Sequence, residues 1–476
     1  MSQPLIIQGG MGVAVSNWRL ARSVAQLGQL GVISGTLLAV VFARRLQAGD
    51  PGGHMADAMV HFPLPTITER VLASYFLPGG KAAAAPFKPV AMPGVNLSKP
   101  LNELTVLANF VEIHLAKQGH NNPVGINLLE KIQVATLASL YGAMLAGVDY
   151  VLMGAGIPRE IPGVLDRFAA GEAAEIAIDV LGAPAGTKTT ARFDPAELFG
   201  GPAPQLRRPQ FLAIVSSATL AITLAKKSTG RVDGFIVEGD VAGGHNAPPR
   251  GQLQLSAIGE PVYGPRDVPD LPKIAAIGLP FWLAGAYADP AKIAEARAAG
   301  ATGVQIGTAF AFCDESAVRP DLKLEVCRLA LQGKAGVYTD PLASPTGFPF
   351  KVLQVEGTLS AENVYAARPR ICDLGYLRDP YSRPDGSIGY RCAAEPGEDY
   401  VRKQGETPAL AGRKCLCNGL LATAGLGQSR PDGTVEPPIL TAGNDVSQLA
   451  RFIPAGCESY TAADVIRFLL GESAAT

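Results

Sequence analysis

Of the five histidines in this 476-residue chain, one stands apart by its setting. His245 closes the run Ala242-Gly243-Gly244-His245 and precedes the loop Asn246-Ala247-Pro248-Pro249-Arg250-Gly251. Imidazole has the side-chain pKa nearest neutrality, so a histidine pressed against such small backbone is equipped to move a proton or donate a hydrogen bond. The alternative is a structural histidine bonding a loop carbonyl. Arg250, on the same loop, offers either a cation for an anionic ligand or an anchor for the loop itself. His54, His61, His114 and His120 lie in or just after a Gly/Pro-rich stretch and read as surface or loop-packing residues.

Glycine supplies the second chemical signal. Six short apolar runs end in it: Gln8-Gly9-Gly10-Met11, Ser34-Gly35-Thr36, Gly154-Ala155-Gly156, the His245 run, Ala284-Gly285-Ala286 and Gln305-Ile306-Gly307-Thr308. Each one alone is explained by a tight turn. Together they describe backbone that a flat or anionic ligand can approach closely, with free N–H groups aimed at it. The Thr308 hydroxyl and the N–H groups around Gly285 and Gly307 suit a phosphate without help from lysine or arginine.

The elements that must position these groups follow a rhythm. Eight apolar runs recur: Leu5–Gly10, Gly31–Gly35, Val124–Leu128, Tyr150–Gly154, Phe211–Ser216, Gly234–Glu238, Pro280–Gly285 and Gly303–Gly307. Helical stretches separate several of them, at Asn17–Leu27, Glu130–Ala146, Ala218–Lys227 and Pro290–Ala299. The last has Asp289 placed to cap it, Pro290 at its first position and Gly300 beyond its end. Runs without alternation are what parallel strands buried behind helices show. Eight units predict an α/β fold of the (β/α)8, or TIM, barrel type, with an open doubly wound sheet as the alternative. In such barrels the working groups sit at the C-terminal strand ends, and phosphate is held after strands seven and eight. Gly285-Ala286 and Gly307-Thr308 stand at those two places.

Three stretches break the rhythm. Residues 48–123 form an insertion, and residues 172–209 hold an extra strand-like piece, Glu175–Leu181, with a polar loop. Residues 340–476 are turn-rich and carry five of the seven cysteines. The chain therefore divides into a barrel over 1–339 and a C-terminal cap or second domain over 340–476. Cys372, Cys392, Cys415 and Cys417 lack the Cys-x2-Cys knuckles of zinc or iron–sulfur sites, so reduced thiols are expected and no metal is assigned. The segment Thr346-Gly347-Phe348-Pro349-Phe350-Lys351 is placed to wall the ligand or to hinge the cap.

Composition bounds the rest. Lysine plus arginine (41) balance aspartate plus glutamate (42), so nothing recommends nucleic acid as a partner. No segment approaches the roughly 18 apolar residues of a membrane helix, and no secretory leader is visible at the start. A cytoplasmic setting is the expectation.

The segments Pro4–Met11, Val237-Glu238-Gly239-Asp240-Val241-Ala242-Gly243-Gly244-His245 and Gly303-Val304-Gln305-Ile306-Gly307-Thr308-Ala309-Phe310 together resemble the nitronate monooxygenases, also known as 2-nitropropane dioxygenases. The FMN-dependent enoyl-acyl carrier protein reductases share that layout. The resemblance spans roughly residues 4–335. It implies a bound FMN, lined by Gly10, Met11, Asn127 and Gly244. Its phosphate would lie on Gly285, Ala286, Gly307 and Thr308, with Gln305 nearby. His245 matches the family's active-site histidine. The activity implied is oxidation of alkyl nitronates with dioxygen to a carbonyl compound and nitrite. An NAD(P)H-dependent enoyl reductase and a flavin-binding scaffold without turnover are the competing readings. Two departures matter. Asn-Ala-Pro-Pro separates His245 from Arg250-Gly251, and Gly285-Ala286 replaces the family's Gly-Gly, which a negative φ at Ala286 would accommodate.

Overall fold

A closed ring of eight parallel strands forms the centre of the computed structural model, which describes residues 3–472. In chain order the strands are β1 (Ile6–Gln8), β2 (Leu30–Ser34), β3 (Val124–Leu129), β4 (Tyr150–Gly154), β5 (Gln210–Val215), β6 (Gly234–Glu238), β7 (Phe281–Ala284) and β8 (Gly303–Ile306). Each pairs with its sequence neighbours, and Ile7 of β1 meets both Leu30 and Gln305, which closes the ring. All eight sequence-predicted runs are therefore barrel strands, and the fold is the TIM barrel rather than an open sheet.

The inward side chains explain the closure. Ile7, Leu30, Val32, Tyr150, Leu152, Leu212, Ile236 and Trp282 form one buried cluster inside the ring. Such layers of bulky side chains make the barrel interior a packed core, not a pore. Trp282 fills the lower end, and its indole N–H donates to the Pro4 carbonyl at 2.8 Å. A larger apolar cluster lies between the outer strand faces and the helices.

Helix starts follow local chemistry. Asn17 Oδ1 accepts from the Leu20 N–H at 2.9 Å and caps Trp18–Gln26. Asp289 Oδ1 accepts from the Ala291 N–H at 2.8 Å ahead of Pro290–Ala298. Each cap satisfies a donor that the helix leaves free. The 48–123 stretch holds the helices His54–Met59, Pro65–Tyr75 and Lys99–Lys117. The last is buried along most of its length and packs on Gln133–Leu145. Between β4 and β5 the extra strand is shorter than expected. Ala174–Ala177 pairs antiparallel with Thr190–Phe193, and Leu181 bridges to Tyr381.

Beyond β8 the chain lies back over the barrel mouth. Val337–Asp340 pairs with Phe350–Leu353, Asp379–Ser382 with Ile388–Arg391, and the helices Leu416–Thr423 and Ala462–Leu470 follow. These residues share the outer core of the barrel rather than forming a separate one. The Tyr460 hydroxyl donates to Ala309 O at 2.8 Å, and Leu353 N donates to Leu440 O at 2.9 Å. The segment 439–445 is thereby laid across the rim.

The seven cysteines are unpaired. Cys372, Cys392, Cys415 and Cys417 line one small hollow within the C-terminal region. Among the described residues no group of three or more histidine, cysteine, aspartate or glutamate side chains is arranged to hold a metal ion. Nor is any described helix long and apolar enough to cross a membrane.

Candidate active site

A cavity with an empty volume of about 1650 Å³, its mouth included, opens at the C-terminal ends of the barrel strands. The structure brings all ten sequence-predicted site residues to its wall. Gly10, Met11 and Asn127 lie at the ends of β1 and β3, and Gly244 and His245 follow β6. Gly285, Ala286, Gln305, Gly307 and Thr308 line the side formed by β7 and β8.

Backbone geometry accounts for the small residues. A Cβ on Gly10 would stand 2.4 Å from Asn127 Cβ, so these two strand ends approach as closely as they can. Gly285 has φ +102°, a conformation that disfavours any side chain. The expectation for Ala286 was incorrect: its φ is +58°, in the left-handed region, rather than negative. The loop after β7 follows the path a Gly-Gly pair would take. Alanine holds it at a cost of roughly 1–2 kcal/mol.

His245 is clamped from outside the barrel. Its Nε2 lies 2.7 Å from Ser344 Oγ, and the Thr346 N–H donates to that oxygen at 3.2 Å. The backbone at His245 forms an antiparallel bridge with Phe350, Asn246 N donates to Pro349 O at 2.9 Å, and Lys351 N donates to Gly244 O at 3.0 Å. The Gly244 N–H donates to Thr441 Oγ1 at 2.8 Å. The Phe350 ring stands 4.9 Å from the imidazole, tilted 67°. Burial drives the His245 pKa down to about 4. At neutral pH the ring is uncharged, with one nitrogen committed to Ser344.

Two residues that sequence reasoning weighed as ligand contacts point elsewhere. The Arg250 guanidinium donates to the Arg266 carbonyl at 2.6 Å, and its backbone N–H donates to Asp267; it is exposed and does not line the cavity. Its loop-anchoring role is the one realised. Lys351 is buried with Nζ on Thr339 Oγ1 at 2.8 Å, behind the wall rather than in it. Phe350 is the member of that segment that faces the cavity.

Four residues were missed. Glu238 ends β6 inside the cavity, and burial pushes its carboxyl up to about 7. A carboxylate closing the apolar run Gly234-Phe-Ile-Val-Glu238 was visible as an anomaly. Ser344, Thr441 and Asp445 carry no comparable signal, because they reach the site through pairings with residues 99 or more positions away. No lysine or arginine of the described residues lines the cavity.

Whether a flavin suits these groups can be judged from the polar atoms left over. Gln305 Oε1 is buried without a partner, and so is Asp445 Oδ1. Both belong to residues lining the cavity. An isolated buried polar atom costs about 1–3 kcal/mol, which a polar ligand in the cavity would recover. The ring N–H and ribityl hydroxyls of FMN carry the donors such oxygens need, and the residues present fit that group.

Residues 205–332 match the nitronate monooxygenase family model. The match runs from just before β5 through the helix Pro320–Leu331 that follows β8, and includes His245. Over 155 residues the chain is 28% identical to a (3aS,4S,5R,7aS)-5-hydroxy-7a-methyl-1-oxo-octahydro-1H-indene-4-carboxyl-CoA dehydrogenase of Mycobacterium tuberculosis, covering 33% of this chain and 39% of that protein. The enzyme of the same name from Rhodococcus jostii is 29% identical over 152 residues, 32% of this chain and 37% of its own length. The chain thus spans about two-fifths of the length of these curated relatives. Among solved structures, FabK of Thermotoga maritima aligns with 99% of this chain and 92% of its own at 16% identity and a TM-score of 0.46. A nitroalkane oxidase from Streptomyces ansochromogenes covers 98% and 95% at 16% identity and a TM-score of 0.45.

Proposed function

We propose that the protein is an FMN-dependent oxidoreductase of the nitronate monooxygenase kind. One observation carries this reading: a neutral, clamped histidine faces a glycine-rimmed cavity at the C-terminal mouth of a closed barrel, inside the segment that matches that family. Gly10, Met11, Asn127 and Gly244 would border the ring. Gln305 would bond it or the ribityl chain, and Gly285, Ala286, Gly307 and Thr308 would receive the phosphate. When bound, FMN supplies the electron-accepting chemistry, and the protein supplies orientation, electrostatics and exclusion of water. Dioxygen would be the co-substrate.

The chain's own contribution centres on His245. In the tautomer whose Nε2 donates to Ser344 Oγ, Nδ1 is the acceptor that would take a proton from a carbon acid. Leu377, Leu416, Leu420, Ile439 and Leu440, all from the C-terminal region, give the cavity an apolar wall that keeps water from the reacting atoms.

A second reading draws on the charge of the cavity. A nitronate is an anion, yet no lysine or arginine of the described residues lines the wall and the His245 ring is uncharged. An uncharged reacting group, such as the unsaturated carbon chain of an acyl thioester, meets less opposition there. The carboxyl-CoA name of the Mycobacterium tuberculosis relative is in keeping with it. On this reading NAD(P)H is the reductant and the protein is an enoyl reductase.

The test is anaerobic bleaching of the purified, yellow protein. Bleaching by a propyl-2-nitronate without pyridine nucleotide supports the first reading, and bleaching by NADPH alone supports the second. Protein that is colourless and takes up no added FMN rules out both.

A further inference from the structure

We infer that Cys372, Cys392, Cys415 and Cys417 together hold an iron–sulfur cluster, a centre distinct from the barrel-mouth cavity and independent of the FMN reading. Cys372 and Cys392 flank the hairpin of Asp379–Ser382 with Ile388–Arg391, and Cys415 and Cys417 stand at the start of the helix Leu416–Thr423. The fold gathers all four around one hollow with an empty volume of about 280 Å³, walled otherwise mostly by apolar side chains. All are free thiols, and Cys392, Cys415 and Cys417 are more than nine-tenths buried. No three of them are drawn about one point as a single metal ion requires. A cluster of iron and sulfide ions is a larger body with four thiolates at its corners, and it suits sulfurs set around a hollow.

The surroundings are those of an anion. Backbone N–H groups approach every sulfur: Gly375 at Cys372, Ala394 at Cys392, Asn418 at Cys415, and Tyr376 with Leu377 at Cys417. Asn418 Nδ2 adds a contact of 3.5 Å to Cys415 Sγ. Such donors bond a thiolate far better than a thiol, and they are what cluster sulfurs receive. Arg368 supplies a second, independent sign. Its side chain is 7% exposed and tied through Nε to Glu436, which leaves Nη2 buried without a partner while the guanidinium faces Cys415. Arg44 and Arg430 share the carboxylates of Asp373 and Glu436 with it. Three guanidinium groups against two carboxylates leave one positive charge over, and unbalanced buried charge is costly. Four neutral thiols would not balance it; an anionic cluster held by four thiolates does. Leu377, Leu416 and Cys417 line both the hollow and the barrel-mouth cavity, so the centre shares a wall with the candidate flavin site.

The experiment counts iron, acid-labile sulfide, zinc and flavin per chain in protein purified without oxygen, before and after incubation with ferrous iron, sulfide and a thiol reductant. The wild type should carry iron and sulfide in equal amounts, about two to four of each. Reduction with dithionite should give a low-temperature electron paramagnetic resonance signal that flavin does not produce. Cys372→Ala and Cys417→Ala should lose most of the iron and sulfide, while Cys457→Ala, at an exposed thiol outside the hollow, should keep both. Circular dichroism checks that each variant folds; should the first two not fold, the wild-type content and signal decide alone. A wild type that takes up no iron and sulfide overturns the inference. So does one zinc in their place, a Cys372–Cys392 disulfide in iron-free protein, or iron retained in full by both hollow variants. Iron and sulfide without flavin would leave this inference standing and remove the cofactor reading.

Discussion

Replacing Glu238 by glutamine should stabilise the protein, and only at neutral pH and above. Glu238 ends β6 inside the cavity, and burial raises its carboxyl from 4.5 to about 7. A group with a raised folded-state pKa contributes stability that is complete below its unfolded value, about 4.5, and lost as pH rises through 7. At about 1.36 kcal/mol per pH unit, the ceiling of that loss is roughly 3 kcal/mol. Water entering through the cavity mouth lowers the figure, so about 1–3 kcal/mol is expected. Glutamine keeps the shape and cannot ionise. For a chain of this length the unfolding entropy makes roughly 1 kcal/mol equal to about 1 °C in Tm. Differential scanning fluorimetry of the flavin-free protein should therefore find Glu238→Gln about 1–3 °C above the wild type at pH 8 and level with it at pH 4.5. The opposite titration of His245 is common to both proteins and cancels in the difference. Equal offsets at the two pH values, or a variant less stable at pH 8, would refute an unpaired buried carboxyl at this position.

Four further outcomes follow from the same geometry. His245 has a folded-state pKa depressed from 6.5 to about 4, so its contribution is present above 6.5 and lost as pH falls towards 4. Thermal melts of His245→Gln should show an acid limb shallower by up to about 3 kcal/mol, and the variant should keep FMN while losing most turnover. Ser344→Ala removes the partner of Nε2; bound flavin should persist while kcat drops at least tenfold, and unchanged kcat would show that the 2.7 Å contact does not orient the ring. Ala286→Gly relieves a left-handed alanine, but glycine's extra chain freedom offsets the relief, so Tm should move by less than about 1 °C either way. Ala286→Val, with a β-branched side chain at φ +58°, should weaken FMN binding at least tenfold in a fluorescence titration.

The barrel was legible because its signal is local. Each strand is a short apolar run buried on both faces, and each was visible without knowing its neighbours. The glycine ends blurred the boundaries: β1 stops at Gln8, β7 at Ala284 and β8 at Ile306, since the glycines beyond leave the ladder and turn to the cavity. The site was legible for the same reason wherever its residues sit on strand ends. Ala286 was misjudged because residue type alone does not reveal φ, and the surrounding loop imposes a conformation that alanine does not favour. Ser344, Thr441 and Asp445 were out of reach. Their roles come from a return of the chain across the rim, and nothing in Ala343-Ser344-Pro345 or Thr441-Ala442-Gly443 announces which surface they meet.

That return of the chain gives His245 its chemical character. Within the barrel alone, the imidazole would sit on an open strand end beside two glycines, solvated and titrating near its ordinary pKa. Phe350 bridges to the loop at His245 and presses its ring on the imidazole, and Ser344 contacts Nε2. Desolvation then holds the ring neutral, with Nε2 committed to the serine. The family-matched segment ends at residue 332, before any of these contacts. The histidine thus comes from the barrel, while its ring is held by Ser344 and Phe350 and its loop is pinned by Thr441. Catalytic differences between this protein and barrels that share only the matched segment should accordingly trace to the residues beyond 332.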